Sequence, residues 1–230
     1  MVTLFSYPEL YNVADNNPYG LKIFAFLRMT GITFHHEHLF DASKAPRSQL
    51  PYIDDDGATI GDSDTIIAYL TQKYGLTIDG TLTPGEHVMG HLVCRALDDL
   101  YWVMSYSRWK DPRFWPLFRD ALRQRHPNLT AEALAAAQTY NSQRYYYQGI
   151  GRYEPDEVYH RGIGDLEAIA SLLGRGPYLF GERPSSTDAG IYGFIANIHF
   201  YEIETPLKSF VASRPSLIRH CDLVHAAVSR

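Results

Sequence analysis

A proline, an aspartate and a serine that together could bind an amino acid lie close in the chain, at Pro51, Asp62 and Ser63. Between them, two short apolar runs flank an Asp-Gly pair, which is the pattern of a β-hairpin. Ser63 begins a helical pattern, and the first turn of a helix offers unpaired N–H groups and a partial positive charge that suit a carboxylate. The Asp62 side chain suits an ammonium group. The pair could therefore hold both ends of an α-amino acid.

Pro51 adds a second element of recognition. If the Leu50–Pro51 peptide bond is cis, the backbone of Leu50 turns outward and is free to pair with an extended peptide. A site that holds an amino-acid head group and pairs with a peptide backbone is a site for a small peptide.

These residues, in this order, resemble the glutathione-binding half of the glutathione S-transferase superfamily, which has a cis-proline and an acidic residue plus serine that hold the γ-glutamyl group. The segment 3–6 resembles the first strand of that family, and 17–22 resembles its catalytic segment. The segment 181–188 resembles the capping box of its helical domain. Residues 27–31 and 44–46 are most similar to the failed-axon-connections and metaxin-like branch.

The pattern of the chain predicts two domains, an α/β thioredoxin-like N-terminal domain plus an all-α C-terminal helical domain. We expect the first over residues 1–75, a linker over 76–85 and the helical domain over 86–230. Strands are predicted near 2–6 and 33–38, before the hairpin, and a helix follows Pro18. Further helices are predicted near 86–109, 113–125, 130–148, 155–173, 187–202 and 215–228.

Composition excludes several classes of function. The net charge of −5 argues against a nucleic-acid partner. Cys94 and Cys221 are the only cysteines and form no CxxC pair, which fits a reducing compartment and excludes a dithiol oxidoreductase. No apolar run is long enough for a membrane span and the amino terminus is not signal-like, so we expect a cytoplasmic protein. The histidines at 35, 36 and 38 alternate across a strand, so we expect no metal site.

The resemblance implies a thiol-activating group at the start of the first helix. The family places a Tyr, Ser or Cys there, whereas this chain has Asn17 before Pro18. An amide can donate a hydrogen bond to sulfur but cannot take its proton, so activation would be electrostatic. Asn16 is the alternative if the register slides by one, and both asparagines could simply cap the helix. A hydroxyl could come instead from Ser6, Tyr7, Tyr11 or Tyr19.

Glutathione itself is the expected co-substrate, bound by Leu50, Pro51, Asp62 and Ser63. The family often places a side chain before the proline that meets the glycine carboxylate. The candidates for this role are Gln49, Arg47 and Lys44.

Aromatic side chains near the end of the long helix are candidates for a co-substrate pocket. Trp102, Tyr106 and Trp109 share one helical face by their spacing, and in the resembling family this helix lines the pocket for the electrophile. Tyr11 is a fourth candidate. Packing between helices is the alternative explanation for the stripe.

Ser185 and Asp188 have the spacing of a capping box at the start of an apolar helix. We expect the loss of this pair to affect folding rather than chemistry.

The sequence thus predicts a glutathione transferase that conjugates the glutathione thiolate to an apolar or aromatic electrophile, as a homodimer with a role in detoxification. One alternative is a non-catalytic adaptor or binding protein of the same fold, which Asn17 favours. Another is a glutathione-dependent isomerase, dehalogenase or peroxidase.

Overall fold

A four-stranded mixed sheet forms the first layer of the protein. The computed structural model describes residues 1–229. Strands β1 (Val2–Ser6), β2 (Phe34–His38), β3 (Tyr52–Asp55) and β4 (Ala58–Gly61) lie in the order β2-β1-β3-β4. β1 is parallel to β2 and antiparallel to β3. This arrangement confirms the predicted thioredoxin-like fold.

The two helices of this half start at the segments that matter for function. Helix α1 covers Pro18–Thr30, is capped by the side chain of Asn17 and ends at Gly31, which has a left-handed φ of 71°. Helix α2 covers Ser63–Tyr74 and is capped by Asp62. Proline at the first position and glycine after the last are typical helix boundaries, because Pro lacks the unpaired N–H and Gly tolerates positive φ.

The rest of the described chain is helical, as predicted. The helices are α3 (Pro84–Trp109), α4 (Trp115–Arg125), α5 (Ala131–Gln148), α6 (Pro155–Leu173), α7 (Ser186–His199), α8 (Pro206–Ala212) and α9 (Pro215–Val228). Short 3₁₀ turns lie at Pro46–Ser48 and Ile150–Arg152.

The helices differ from the sequence prediction at several ends and in one helix that was missed. Helix α3 begins at Pro84, because Thr83 and Glu86 form a reciprocal capping box. Helix α8 was not predicted, since seven residues are too few to show a helical period. The proposed division into residues 1–75, 76–85 and 86–230 stays a prediction.

Close packing of α7 on α1 joins the two halves. A Cβ at Gly193 would collide with the carbonyl oxygen of Pro18, so glycine is needed for this approach. The buried Arg108 guanidinium donates to the carbonyl oxygens of Asn16 and of Asn197, the latter at 2.7 Å. The Asn197 amide donates to the Asp15 carbonyl oxygen at 3.1 Å. The segment before α1 is therefore held by α3 and α7.

None of the helices described over residues 1–229 is long and apolar enough to cross a membrane. Within residues 1–229, no three or more His, Cys, Asp or Glu side chains form a group that could hold a metal ion.

Candidate functional site

A cleft between the sheet and the helical half contains two adjoining cavities. The first, of about 370 Å³, we call the polar cavity, and the second, of about 440 Å³, the apolar cavity. Six residues line both cavities: Tyr7, Asn17, Ser48, Tyr101, Tyr140 and Arg144. The polar cavity is completed by Tyr19, Gln49, Leu50, Pro51, Asp62, Ser63, Asp64, Arg95, Asp98 and Trp102. The shared residues mark the place where ligands in the two cavities would meet.

The Leu50–Pro51 peptide bond is cis and forms one wall of the polar cavity. Among residues 1–229, the N–H and C=O of Leu50 have no hydrogen-bond partner. An extended peptide could pair with these groups by strand addition.

Asp62 and Ser63 lie at the start of α2 and line the same cavity. Asp62 has a positive φ of 77°, and its Oδ1 accepts from the Thr65 N–H at 3.0 Å and from the Thr65 hydroxyl at 2.9 Å. Ser63 is buried, with its Oγ 3.3 Å from the Nζ of buried Lys22, which also forms an ion pair with Asp64. The helix dipole makes this end of the cavity favourable for an anion, whereas the charge of Lys22 is already paired with that of Asp64.

Asn17 and Asn16 differ in what their amides do. Asn17 Oδ1 accepts from the Tyr19 N–H at 3.0 Å, and the Asn17 N–H donates to Asp15 Oδ1 at 2.6 Å. The Nδ2 of Asn17 has no partner within the described part of the chain. Asn16 Nδ2, in contrast, donates to the Pro8 carbonyl oxygen at 2.7 Å. Asn17 therefore caps the helix through its Oδ1 while its Nδ2 makes no hydrogen bond within the described chain, whereas the Nδ2 of Asn16 already donates one.

The candidate hydroxyl groups occupy different environments. Tyr7 lines both cavities, and burial, followed by the neighbouring Tyr101 and Asp15, raises its pKa to about 12. The Tyr19 hydroxyl donates to Asp98 at 2.9 Å. Ser6 is buried with its Oγ 2.8 Å from His36 Nε2. Among these three, Tyr7 alone lines both cavities.

The four aromatic candidates are separated by the fold. Trp109 lines the apolar cavity and Trp102 the polar one. Tyr106 is 3% exposed and lies in the core, with its ring centroid 6.0 Å from that of Tyr145, so it lines neither cavity. Tyr11 lines a third cavity, and its ring packs at 5.0 Å on Tyr201.

Two family models match the chain. The "Glutathione S-transferase N-terminal domain" matches residues 18–114, and the "Glutathione S-transferase, C-terminal domain" matches residues 162–224. The chain belongs to the glutathione S-transferase superfamily.

Two relatives are similar in sequence over nearly the whole length of this chain. The isoprene-epoxide–glutathione S-transferase of Rhodococcus sp. (strain AD45) is 27% identical over 97% of this chain and 98% of its own length. Failed axon connections of Drosophila melanogaster is 24% identical over 96% of this chain. The chain spans only 56% of that second protein. The predicted similarity to the failed-axon-connections branch is thus confirmed.

Solved transferase-like structures share the fold. The β-etherase LigF from Sphingobium sp. strain SYK-6 has a TM-score of 0.70 at 16% identity, covering 99% of this chain and 97% of its own. A glutathione transferase family member from Pseudomonas fluorescens Pf-5, with two glutathione molecules bound, has a TM-score of 0.63 at 14% identity, covering 99% and 92%.

The candidates for the glycine carboxylate are placed differently within this transferase fold. Gln49 lines the polar cavity. Arg47 does not, and its exposed guanidinium lies 3.6 Å from Asp62 Oδ2. Lys44 is exposed and is not among the residues lining either cavity.

Arg144 is a residue that the sequence analysis did not select. It lies in the middle of α5, in a run of polar and aromatic residues with no motif around it. Its position beside Asn17 and Tyr7 results only from the packing of α5 across the cleft.

Proposed function

We propose that the protein is a glutathione transferase that joins the glutathione thiolate to an electrophilic carbon of an apolar or aromatic small molecule. The observation that carries the proposal is the junction of the two cavities. A polar cavity suited to a γ-glutamyl peptide opens into an apolar one where Asn17 and Tyr7 lie.

The polar cavity suits each part of glutathione. The α-carboxylate of the γ-glutamyl group fits the free N–H groups at Ser63 and Asp64, at the N-terminal end of α2. Its ammonium group fits Asp62. The cysteinyl backbone fits the unpaired Leu50 backbone, and the glycine end lies toward Gln49. In this orientation the thiol points to the residues shared by both cavities.

The thiolate would be stabilised without a general base. The Nδ2 of Asn17, the Tyr7 hydroxyl and the N-terminal end of α1 are all donors or positive ends of dipoles. The Tyr7 hydroxyl is protonated at neutral pH and can donate a hydrogen bond, and burial raises its pKa further, to about 12. The thiol proton leaves to solvent, and the sulfur then bonds to the electrophilic carbon.

The comparisons support glutathione as the co-substrate. The named activity of the Rhodococcus relative uses glutathione, and a related structure from Methylobacterium radiotolerans is a complex with glutathione sulfonate. A detoxifying role in the cytoplasm is part of the proposal, and the two free cysteines fit a reducing compartment.

A non-catalytic adaptor is the second candidate. Asn17 favours it, because an amide cannot accept the thiol proton. The free Nδ2 of Asn17 and the position of Tyr7 favour the enzyme.

The decisive test is binding followed by turnover. We expect calorimetry to detect glutathione below millimolar concentration, and conjugation of 1-chloro-2,4-dinitrobenzene to follow. Tyr7→Phe and Asn17→Ala should each raise the pKa of the bound thiol and lower kcat by about tenfold, the loss of one hydrogen bond to a charged group. Tyr147→Phe is the matched control, since Tyr147 is 79% exposed on α5.

No binding at millimolar glutathione would contradict the enzyme and its ligand together. Binding without turnover, in the wild type and in Asn17→Ala alike, would favour the adaptor.

We also propose a homodimer. Val88, Met89 and Leu92 expose apolar side chains on one segment of α3, at 61%, 37% and 56%. Sedimentation should show a dimer, and Leu92→Glu should shift it toward monomer.

A further inference from the structure

Arg144 is a half-buried cation without a counter-charge. Its guanidinium carbon lies 5.1 Å from the centroid of Trp102 and 5.7 Å from that of Tyr140. Its guanidinium donates to Asn141 Oδ1 at 3.1 Å and interacts with the Tyr101 side chain. Within residues 1–229, no carboxylate lies within 4.0 Å of it. A partly buried arginine is ordinarily paired, so the remaining N–H donors of Arg144 are available to a ligand.

The other arginines of the cleft are already committed. Arg108 is buried and donates to Asn16 and Asn197. Arg95 pairs with Asp64 at 3.3 Å and with Asp98 at 2.9 Å. Arg144 thus differs from both, because it lines both cavities and has no carboxylate partner within residues 1–229.

The charged side chains that line the apolar cavity are all positive. No aspartate or glutamate is among its lining residues within the described chain, whereas Arg108 and Arg144 both line it. Burial opposes the charge of Arg144, but Tyr101, and then Tyr145 and Tyr140, outweigh it and hold its pKa above the ordinary value. The cavity therefore favours a group that is negative or becomes negative.

The location of Arg144 indicates when that negative charge forms. It lines both cavities together with Asn17 and Tyr7, where sulfur and electrophile would meet. A fixed cation beside the reacting atoms lowers the barrier most when charge develops next to it during the reaction.

We propose that Arg144 is a catalytic residue that binds the oxygen atom receiving the electron pair during attack, and that the preferred co-substrate is an electrophile activated by a neutral oxygen. An epoxide and an α,β-unsaturated carbonyl compound share this chemistry. The inference rests on the proposed transferase function.

The step balances without a further reactant. With an epoxide, the S–C bond forms as the C–O bond breaks, and the electron pair of that bond goes to oxygen. Arg144 stabilises the alkoxide until it takes one proton from water, which replaces the proton that the thiol released. With an unsaturated carbonyl compound, the S–C bond forms as the C=C π bond breaks, and the electron pair goes to an enolate oxygen in the same place. The enolate then takes one proton from water at its α-carbon.

The test compares two benzylic electrophiles of similar shape, styrene oxide and benzyl chloride, and one unsaturated ketone, benzylideneacetone. Benzyl chloride releases chloride and has no oxygen that gains charge. We expect Arg144→Gln to lower kcat for styrene oxide and benzylideneacetone by about 100-fold, the effect of removing one oxyanion donor. The rate with benzyl chloride and the KM for glutathione should change less than about threefold on the same reasoning. Arg144→Lys should recover part of the loss, because it keeps the charge.

Arg152→Gln is the matched control. Arg152 also lies over a tyrosine ring, 4.8 Å from Tyr146, but is exposed and lines neither cavity. Absorbance of the bound thiolate gives the pKa of the thiol in each variant, which should not change in Arg144→Gln.

Three outcomes would overturn the inference. If Arg144→Gln slows all three substrates equally, or raises the pKa of the thiol, the arginine acts on glutathione and the transferase function stands. If the wild type uses benzyl chloride but neither oxygen-containing substrate, the substrate class is wrong. If the wild type uses none of the three and binds no glutathione, the inference falls with the proposed function.

Discussion

Helices α2 and α7 both begin with an aspartate and a serine, but the two aspartates differ in their contacts and exposure. At α7, Asp188 accepts from the Ser185 N–H and hydroxyl at 2.7 Å each, from the Leu179 N–H at 2.9 Å, and lies 2.9 Å from His220 Nε2. Its side chain has no exposed surface. At α2, the Asp62 side chain is 45% exposed and only Oδ1 is used for capping.

The difference shows that a capping motif can serve the fold or a ligand. The exposure of its carboxylate tells the two cases apart. All four contacts of Asp188 are internal, so the carboxylate has no capacity left for a ligand. Asp62 uses only Oδ1 for capping, its Oδ2 lies 3.6 Å from the exposed Arg47 guanidinium, and the N–H groups at Ser63 and Asp64 have no acceptor within residues 1–229. We therefore expect the first helix start to stabilise the fold and the second to bind a ligand.

Asp188→Ala should give the largest effect on folding. It leaves the buried Leu179 and Ser185 N–H groups and His220 without their acceptor, which should cost about 3–5 kcal/mol of unfolding free energy. Urea denaturation followed by circular dichroism measures this loss.

Glutathione binding by Asp188→Ala also tests the difference between the two helix starts. The surviving folded fraction of Asp188→Ala should bind glutathione with unchanged affinity. If Asp188→Ala were as stable as the wild type but did not bind glutathione, the roles of the two helix starts would be the reverse of those inferred.

Asp62→Asn should have a smaller effect, and on binding rather than folding. Asn caps as well as Asp, so stability should change by a few tenths of a kcal/mol, while loss of the charge facing the γ-glutamyl ammonium should weaken glutathione binding about tenfold. Calorimetry and urea denaturation of the same variant measure both.

Asp62→Ala serves as its partner variant. It should show the same loss of affinity plus about 1 kcal/mol of stability from the lost cap. Equal affinity in Asp62→Asn and the wild type would place the ammonium group elsewhere.

The smallest expected effect is on acid stability. Burial opposes ionisation of Asp188, but the hydrogen bond and charge of His220, with the bonds from Leu179 and Ser185, outweigh it and hold its pKa below the ordinary value. A depressed pKa in the folded state contributes stability that is present above the unfolded value, about 4, and is lost as pH falls through the folded one.

Denaturation of the wild type from pH 5 to pH 2 should therefore show falling stability, with a shallower fall in Asp188→Asn. Identical slopes in the two proteins would mean that Asp188 contributes nothing to the pH dependence.

Much of the fold was predictable because its signals are local. Helix starts at Asn17, Thr130 and Ser185 follow from short polar side chains before apolar periods. Helix α8 was missed because it is too short to show a period.

The site was only partly predictable, because its members come from distant elements. Trp102, Tyr106 and Trp109 share a helical face by spacing, yet α3 passes from the polar cavity through the core to the apolar cavity along its length. The spacing of residues along a helix shows which side of the helix they lie on, but it does not show what surrounds each of them.

The sequence by itself determined the two-part architecture, the hairpin after Pro51 and the two helix starts at Asp62 and Asp188, since caps, turns and apolar periods act over a few residues. Only the tertiary structure decided that Asn17 has a free amide donor while that of Asn16 is occupied, and that Tyr7 and Arg144 lie beside it. Those facts depend on which side chains α3, α5 and α7 bring against the first helix. Packing between distant segments sets burial and charge, and no local pattern encodes them.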